Sequence, residues 1–254
     1  MRAFIQCNKY KDLVTGEDKL YPINPNVYNA FYGLREMGYE CVMFETYEDL
    51  VAYYHSKQEP ICGGIGMIRR RLQDFDISCD EINYPEEIKS YLKRDIWYST
   101  INEVRDHSEN WPIFVKSVEG KRLTGKVISK ISDLVGCGCS EENYQVICST
   151  PVNMLSEYRV FVRYGKILDV KLYKGDWTKT YNPDIINKCI LDYKSAPNAY
   201  GIDFAVTDTG DTVLIEVNDG YALGCYGMPF YNYAKLIITR WAELTNTLDE
   251  FYYI

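Results

Sequence analysis

Histidine is nearly missing from this chain: among 254 residues, only His55 and His107 carry imidazoles. That scarcity leaves no Ser-His-Asp set for nucleophilic catalysis, and no paired histidine is seen for Cys225. It also weakens any zinc reading. Cys137-Gly138-Cys139 is the one close cysteine pair, and a zinc site needs two further ligands at suitable spacing. The segment reads as a glycine-rich turn. The nine cysteines are odd in number and scattered, which fits a reduced, cytoplasmic compartment better than a disulfide framework. Cations are outnumbered, 28 against 36 acids, for a net charge of −8, which argues against non-specific nucleic-acid binding. No apolar run is long enough to span a bilayer, and the apolar part of the first seven residues is too short for a signal peptide. Repeats and low-complexity segments are absent too. Tyrosine is plentiful, at 24, and reads as core and composition bias.

What the chain does have is a pair of opposed acids. Tyr200-Gly201-Ile202-Asp203-Phe204-Ala205-Val206 and Thr212-Val213-Leu214-Ile215-Glu216-Val217-Asn218 flank the turn-forming Thr207-Asp208-Thr209-Gly210-Asp211. A loop of two or four residues centred on Thr209-Gly210 sets Asp203 opposite Glu216, with Asn218 two residues on, on the same face. Ile202, Phe204, Val206, Val213, Ile215 and Val217 then form the core face. Like charges placed opposite each other destabilise a sheet, so two acids beside an amide oxygen point to a hard divalent cation.

Around this hairpin the chain divides in two. Residues 1–90 alternate strand and helix: strands at 3–7, 40–44 and 60–64, helices at 26–37, 47–54 and 65–73, an order that implies a small parallel sheet. Gly63-Gly64-Ile65-Gly66 reads as a tight strand-to-helix turn, since it lacks the fuller phosphate-loop fingerprint. Ile82-Asn83-Tyr84-Pro85 marks a boundary. Helices are expected at 86–91 and 98–104, then a strand at 113–116. After it the pattern turns antiparallel, with strands at 144–148, 158–162 and 167–173. A closing helix at 231–244 buries Leu236, Ile237 and Trp241.

Several cations sit at strand ends. Lys116 closes an apolar strand and either snorkels to solvent or points into a site. The loop after it, residues 117–126, carries two glycines and three basic residues; it reads either as a cover over phosphates or as a solvated hairpin. Arg159, Phe161 and Arg163 share a strand face. A three-residue turn with a bulge sets Arg159 opposite Lys171, favouring an anion between them; a two-residue turn does not. Arg163 reads as a solvent-exposed charge.

This order of basic strand end, glycine-containing basic loop, Glu157-Tyr158-Arg159, then Asp203 and Glu216-Val217-Asn218 resembles the ATP-grasp superfamily. The likeness covers residues 91–227, and residues 1–90 look like the α/β domain that precedes it there. Phe114-Val115-Lys116, Lys121-Arg122-Leu123-Thr124-Gly125 and Ser156-Glu157-Tyr158-Arg159-Val160-Phe161-Val162 are similar to a small bacterial and phage clade marked by one arginine and two lysines. The resemblance implies an α/β (α+β) chain: a small parallel α/β domain at 1–90, then an ATP-grasp domain at 91–254 whose two antiparallel sheets clasp ATP. It implies that Lys116 and Lys121 meet the phosphates and that Arg94, or its neighbour Lys93, supplies an earlier nucleotide-side cation. Ile147 and Cys148 fall in the hinge beside adenine, Glu157 on the ribose, Arg159 toward phosphate, and Lys171 on the strand leading out. Asp203, Glu216 and Asn218 match the ligands of Mg²⁺, two ions being expected and Mn²⁺ an alternative. The activity implied is an ATP-dependent carboxylate–amine ligase acting through an acyl phosphate on an amino acid, peptide or protein, with a kinase or a non-catalytic nucleotide-binding module as the other readings. Residues 220–227 are expected either to form the acceptor region or to be a plain connection.

Overall fold

The computed structural model describes residues 1–53, 56–118, 123, 125–138 and 142–253. Its first unit is organised on β1 (Arg2–Lys11). The second half of β1 pairs antiparallel with β2 (Asp18–Pro22), and its first half runs parallel to β3 (Glu40–Phe44) and β4 (Ile61–Cys62). The helices between them are α1 (Pro25–Glu36), α2 (Tyr47–Ala52) and α3 (Ile65–Gln73). Local chemistry sets their ends. The Asn24 side chain accepts from the N–H groups of Asn26 and Val27, Pro25 opens α1, and Thr46 and Asp49 cap α2 reciprocally. The βαβαβα order is as expected. β2 was not, because its residues are mostly polar and half-exposed and give little alternation.

A 3-10 turn at Glu86–Tyr91 leads into the second sheet. Its strands are β5 (Ile96–Thr100), β6 (Ile113–Ser117), β7 (Lys126–Ile128) and β8 (Gln145–Ser149), in the antiparallel order β5–β8–β6–β7. The helix expected at 98–104 begins later. Ile96-Trp97-Tyr98-Ser99-Thr100 is aromatic and β-branched and pairs with β8, so α4 (Ile101–Asp106) starts only after Thr100, which caps it with Glu103.

The third sheet is β9 (Met154–Arg163), β10 (Lys166–Gly175), β11 (Ala199–Thr207) and β12 (Thr212–Asp219), in the order β10–β9–β11–β12, with α5 (Pro183–Asp192) between β10 and β11. Two antiparallel sheets therefore face each other, as the α/β expectation held. Their registers differ from expectation in two places. β9 and β10 join through a two-residue turn, Tyr164-Gly165, both at positive φ, and a bulge at Leu168 then sets Lys171 opposite Arg159. The pairing tied to a three-residue turn is thus reached with a two-residue one. In the acidic hairpin Asp203 does oppose Glu216, but the next pair is Phe204 with Leu214. The loop Asp208-Thr209-Gly210 has three residues, and a bulge at Ile215 restores the phase. Leu214 consequently joins Ile202, Phe204 and Val217 in the core, while Ile215 does not.

The closing helix, α6 (Phe230–Thr245), is shared. Leu236 and Ile237 pack with Ala3, Ile5 and Leu34 of the first unit and with Phe161 of β9, while Trp241 packs with Phe4, Phe44 and Leu50. This cover overturns the expectation for Arg163. The β9 face that carries Arg159 toward the cleft continues under α6, so Arg163 is buried. Its guanidinium donates to Thr239 Oγ1 at 2.7 Å, Asp249 Oδ2 at 3.2 Å and the Phe251 carbonyl at 2.5 Å. Those partners lie 76 or more residues away in the chain, so no local pattern announces them. Among the described residues no helix is long and apolar enough to cross a membrane.

Candidate active site

A cavity of about 420 Å³ lies between the two antiparallel sheets. Strand alternation places its walls. Phe114 and Lys116 point into it from β6, while Ile113 and Val115 of the same strand enter the core behind. From the facing sheet come Glu157, Lys174, Ile215 and Glu216, and the connection from Ser149 to Val152 closes one end. Gly125 sits against Phe114, where any Cβ would land on the ring. Asp203, Asn218 and Arg159 lie one step beyond Glu216 and do not line the cavity itself.

The acidic pair is held by two cations. Arg159 grips Asp203 with both oxygens engaged, Nε to Oδ1 at 2.8 Å and Nη2 to Oδ2 at 2.7 Å. Asp203 is only 2 % exposed. Burial pushes its carboxyl up from the ordinary value, and the Arg159 bonds oppose that rise. Lys116 donates to Glu216 Oε2 at 2.9 Å and to Asn83 Oδ1 at 3.1 Å. Burial alone would raise Glu216 too, but the Lys116 ammonium, aided by the Asn218 amide, outweighs it and holds the carboxyl below its ordinary range. Asn218 Nδ2 lies 3.3 Å from an oxygen of each acid, so one amide bridges the pair.

Two carboxylates beside an amide, with no sulfur and no imidazole, are the donor types a small hard cation takes; as the side chains stand, Asn218 turns its Nδ2 toward the acids and Arg159 occupies both Asp203 oxygens. Among the described residues no group of three or more His, Cys, Asp and Glu side chains is arranged to hold a metal ion by itself. A cation here would therefore take few ligands from the protein and the remainder from a bound anion and water, as Mg²⁺ does beside phosphates.

The other expected residues are distributed as follows. Arg94 lines the cavity, but its guanidinium donates to the carbonyls of Leu214 and Ile215 at 2.6 and 2.7 Å. Successive carbonyls of a regular strand point to opposite sides; the Ile215 bulge turns both toward one arginine. Lys93, at positive φ, lines a separate surface groove with Asp192. Glu157 receives Lys174 Nζ at 2.6 Å. Lys171 pairs with Asp169 at 3.0 Å and stays outside the cavity. Ile147 and Cys148 also lie outside it: β8 runs on through Ser149, so the chain leaves the sheet later and Ser149 to Val152 form the wall. Lys121 falls outside the described residues, as does Cys139. Within 220–227, Gly220–Ala222 form a 3-10 turn, the Tyr221 hydroxyl accepts from Arg69 Nε at 2.8 Å, and Cys225 is buried. Tyr226 stacks on Tyr173 at 4.9 Å and 18°, and the Arg159 guanidinium sits 5.1 and 5.9 Å from their ring centres.

Four contributors escaped the sequence reading: Lys174, Tyr173, Asn83 and Tyr84. Tyr173 is itself the extra residue of a second bulge in β10, which no alternation signals. Asn83 and Tyr84 stand just before Pro85, a context that marks a boundary and carries no signal of a place in the cleft.

A family model described as the ATP-grasp domain, R2K clade family 2, matches residues 91–236, more than half of the chain. Among solved structures, the fold is similar to that of a D-alanine–D-alanine ligase from Bacillus anthracis, with 13 % identity, 88 % of this chain and 96 % of that one covered, and a TM-score of 0.56. It is also similar to an N5-carboxyaminoimidazole synthetase from Staphylococcus aureus, with 10 % identity, 87 % and 74 % covered, and a TM-score of 0.51. The macrocyclase MdnC from Microcystis aeruginosa MRC, bound with precursor peptide MdnA, gives 13 % identity, 94 % and 99 % covered, and a TM-score of 0.51. No curated protein matches this chain in sequence.

Proposed function

Because this chain belongs to the ATP-grasp family, R2K clade family 2, we propose that it is an ATP-dependent ligase that joins a carboxylate to an amine. The observation that carries the reading is the opposed pair Asp203 and Glu216, bridged by Asn218 and faced by Lys116, at the end of a cleft between two antiparallel sheets. In this reading the base lies against the Ser149–Val152 connection, directly after the expected Ile147 and Cys148, and Glu157 faces the ribose. Asp203, Glu216 and Asn218 would hold Mg²⁺, two ions by expectation, and the metal would supply neutralisation of phosphate oxygens. Arg94 shapes the wall by fixing the carbonyls of the bulge.

The chemistry needs no protein nucleophile. A substrate carboxylate oxygen attacks the γ-phosphorus, the bond to the β-phosphate oxygen breaks, and ADP leaves. An amine then attacks the acyl carbon, phosphate departs, and the nitrogen loses a proton. In this reading Lys116, which lines the cavity, and Arg159, which holds Asp203 behind it, offset charge as the phosphoryl group moves. Catalysis is positioning and electrostatics. The 220–227 segment, whose Tyr226 covers Arg159, is where the acceptor would approach.

The test is ADP release on a panel of carboxylates and amines, with mass spectrometry of products. An amide product formed with ADP supports the ligase. A stable phosphorylated product without amide redirects the assignment to a kinase, and nucleotide binding without turnover to a binding module. In parallel, Asp203→Asn with Glu216→Gln is expected to abolish the Mg²⁺-dependent part of ATP affinity in calorimetry; unchanged affinity would reject these ligands.

A further inference from the structure

The segment between the two halves of the chain crosses the cleft. Asn83 sits at φ 53, a left-handed conformation that asparagine tolerates better than most residues. Its carbonyl accepts from the N–H of Val217 at 2.8 Å, between Glu216 and Asn218. Its side-chain oxygen accepts from Lys116 Nζ, on the opposite sheet, at 3.1 Å. The next residue, Tyr84, lines the cavity and lies beneath the same ammonium, 4.7 Å from Nζ to the ring centre. Upstream, Glu81 reaches Arg69 of α3 at 3.5 Å, and Arg69 holds Tyr221 just after β12.

One residue thus bonds to both sheets, through its backbone to the strand of the acids and through its amide to the lysine. An unheld lysine on a four-carbon stem samples many rotamers, and ordering it costs up to about 2 kcal/mol. Here three neighbours order it before any ligand arrives: Glu216 on the facing strand, and Asn83 and Tyr84 on the linker. The left-handed turn at Asn83 is what lets carbonyl and amide reach opposite walls.

We infer that Asn83 and Tyr84 are positioning residues that aim Lys116 at the phosphates of the nucleotide. The inference rests on the ATP-binding reading above and adds residues to it. It explains why the linker runs through the cleft instead of around it. It also ties the phosphate end to the first unit, since Glu81, Arg69 and Tyr221 continue the same chain of contacts.

The experiment compares binding of Mg-ATP and of AMP, which has no β- or γ-phosphate, by calorimetry in the full chain. Asn83→Gly keeps the left-handed backbone and removes the amide. It is expected to weaken Mg-ATP by about tenfold, the scale of one hydrogen bond to a charged group, and to leave AMP unchanged. Tyr84→Leu removes the ring face and is expected to lower Mg-ATP affinity by about two- to fivefold, again sparing AMP. Equal losses for both nucleotides, or no loss in either variant, would overturn the positioning role. If the wild-type chain binds neither nucleotide, the ATP reading itself fails and takes this inference with it.

Discussion

Arg159 and Asp203 show what a single buried pair demands. Both side chains are nearly sealed from solvent, at 9 % and 2 % exposure, and each satisfies the other through two hydrogen bonds. Removing one partner of such a pair costs about 3–5 kcal/mol, because a charge is left buried and unmatched. Arg159→Met is therefore expected to lower unfolding free energy by that amount in urea titration, whereas replacing both partners with apolar residues should restore much of it. At the surface, Asp12 shows the opposite balance. The Lys19 ammonium, then the N–H groups of Thr15 and Val14, hold its carboxyl down to about 2. A depressed carboxyl contributes stability above its ordinary 3.8, and that contribution disappears as pH falls toward about 2. NMR titration of Lys19→Met should show the Asp12 midpoint returning toward 3.8. Neither pair was legible as a pair. Residue types and strand faces can be read from order, but Arg159 and Asp203 stand 44 positions apart, and only the sheet order β9–β11 makes them neighbours.

Among the elements, α1 and α6 cross at close range. A Cβ on Gly33 would land on the Phe230 carbonyl and come within 2.9 Å of Ala234 Cβ. Gly33→Ala should therefore destabilise by about 1–3 kcal/mol, although alanine is the better helix former by about 1 kcal/mol. Thermal denaturation of that variant checks it, and a rise in midpoint would contradict the close approach. What was legible at this scale is what repeats. The period-two flanks of β11 and β12 and the apolar stripe of α6 announce themselves. β2 and the β5–α4 junction did not, since their pairing partners decide them; α5 is a further element absent from the expectation, although Asn182 and Pro183 open it as Asn24 and Pro25 open α1. Bulges are the hardest case: Leu168, Tyr173 and Ile215 each shift a register by one residue, and nothing in local propensity marks them.

For the whole molecule, the cleft joins elements from all three sheets' neighbourhoods. Lys116 comes from one sheet and Glu216 from another, and Asn83 arrives from the connection out of the first unit. A ligand seated there and binding only the folded chain stabilises it by mass action, about 2.7 kcal/mol at a hundred times its dissociation constant. Mg-ATP is thus expected to raise the melting temperature of the wild-type chain, and Asp203→Asn with Glu216→Gln to cancel the part that depends on Mg²⁺. The two-sheet architecture and the family were legible because the order of cations, loop and acids survives in one dimension. The route of the linker through the cleft was not, because a boundary and a strap look alike in sequence.

The exposed tip Asp208-Thr209-Gly210 is separated from the acids by the ladder pairs Val206–Thr212, Ala205–Val213 and Phe204–Leu214 and by the bulge at Ile215. Lengthening a surface loop costs little closure entropy. This tip is therefore a sensible attachment point for a fluorophore or an affinity handle, set apart from the residues that would do the chemistry.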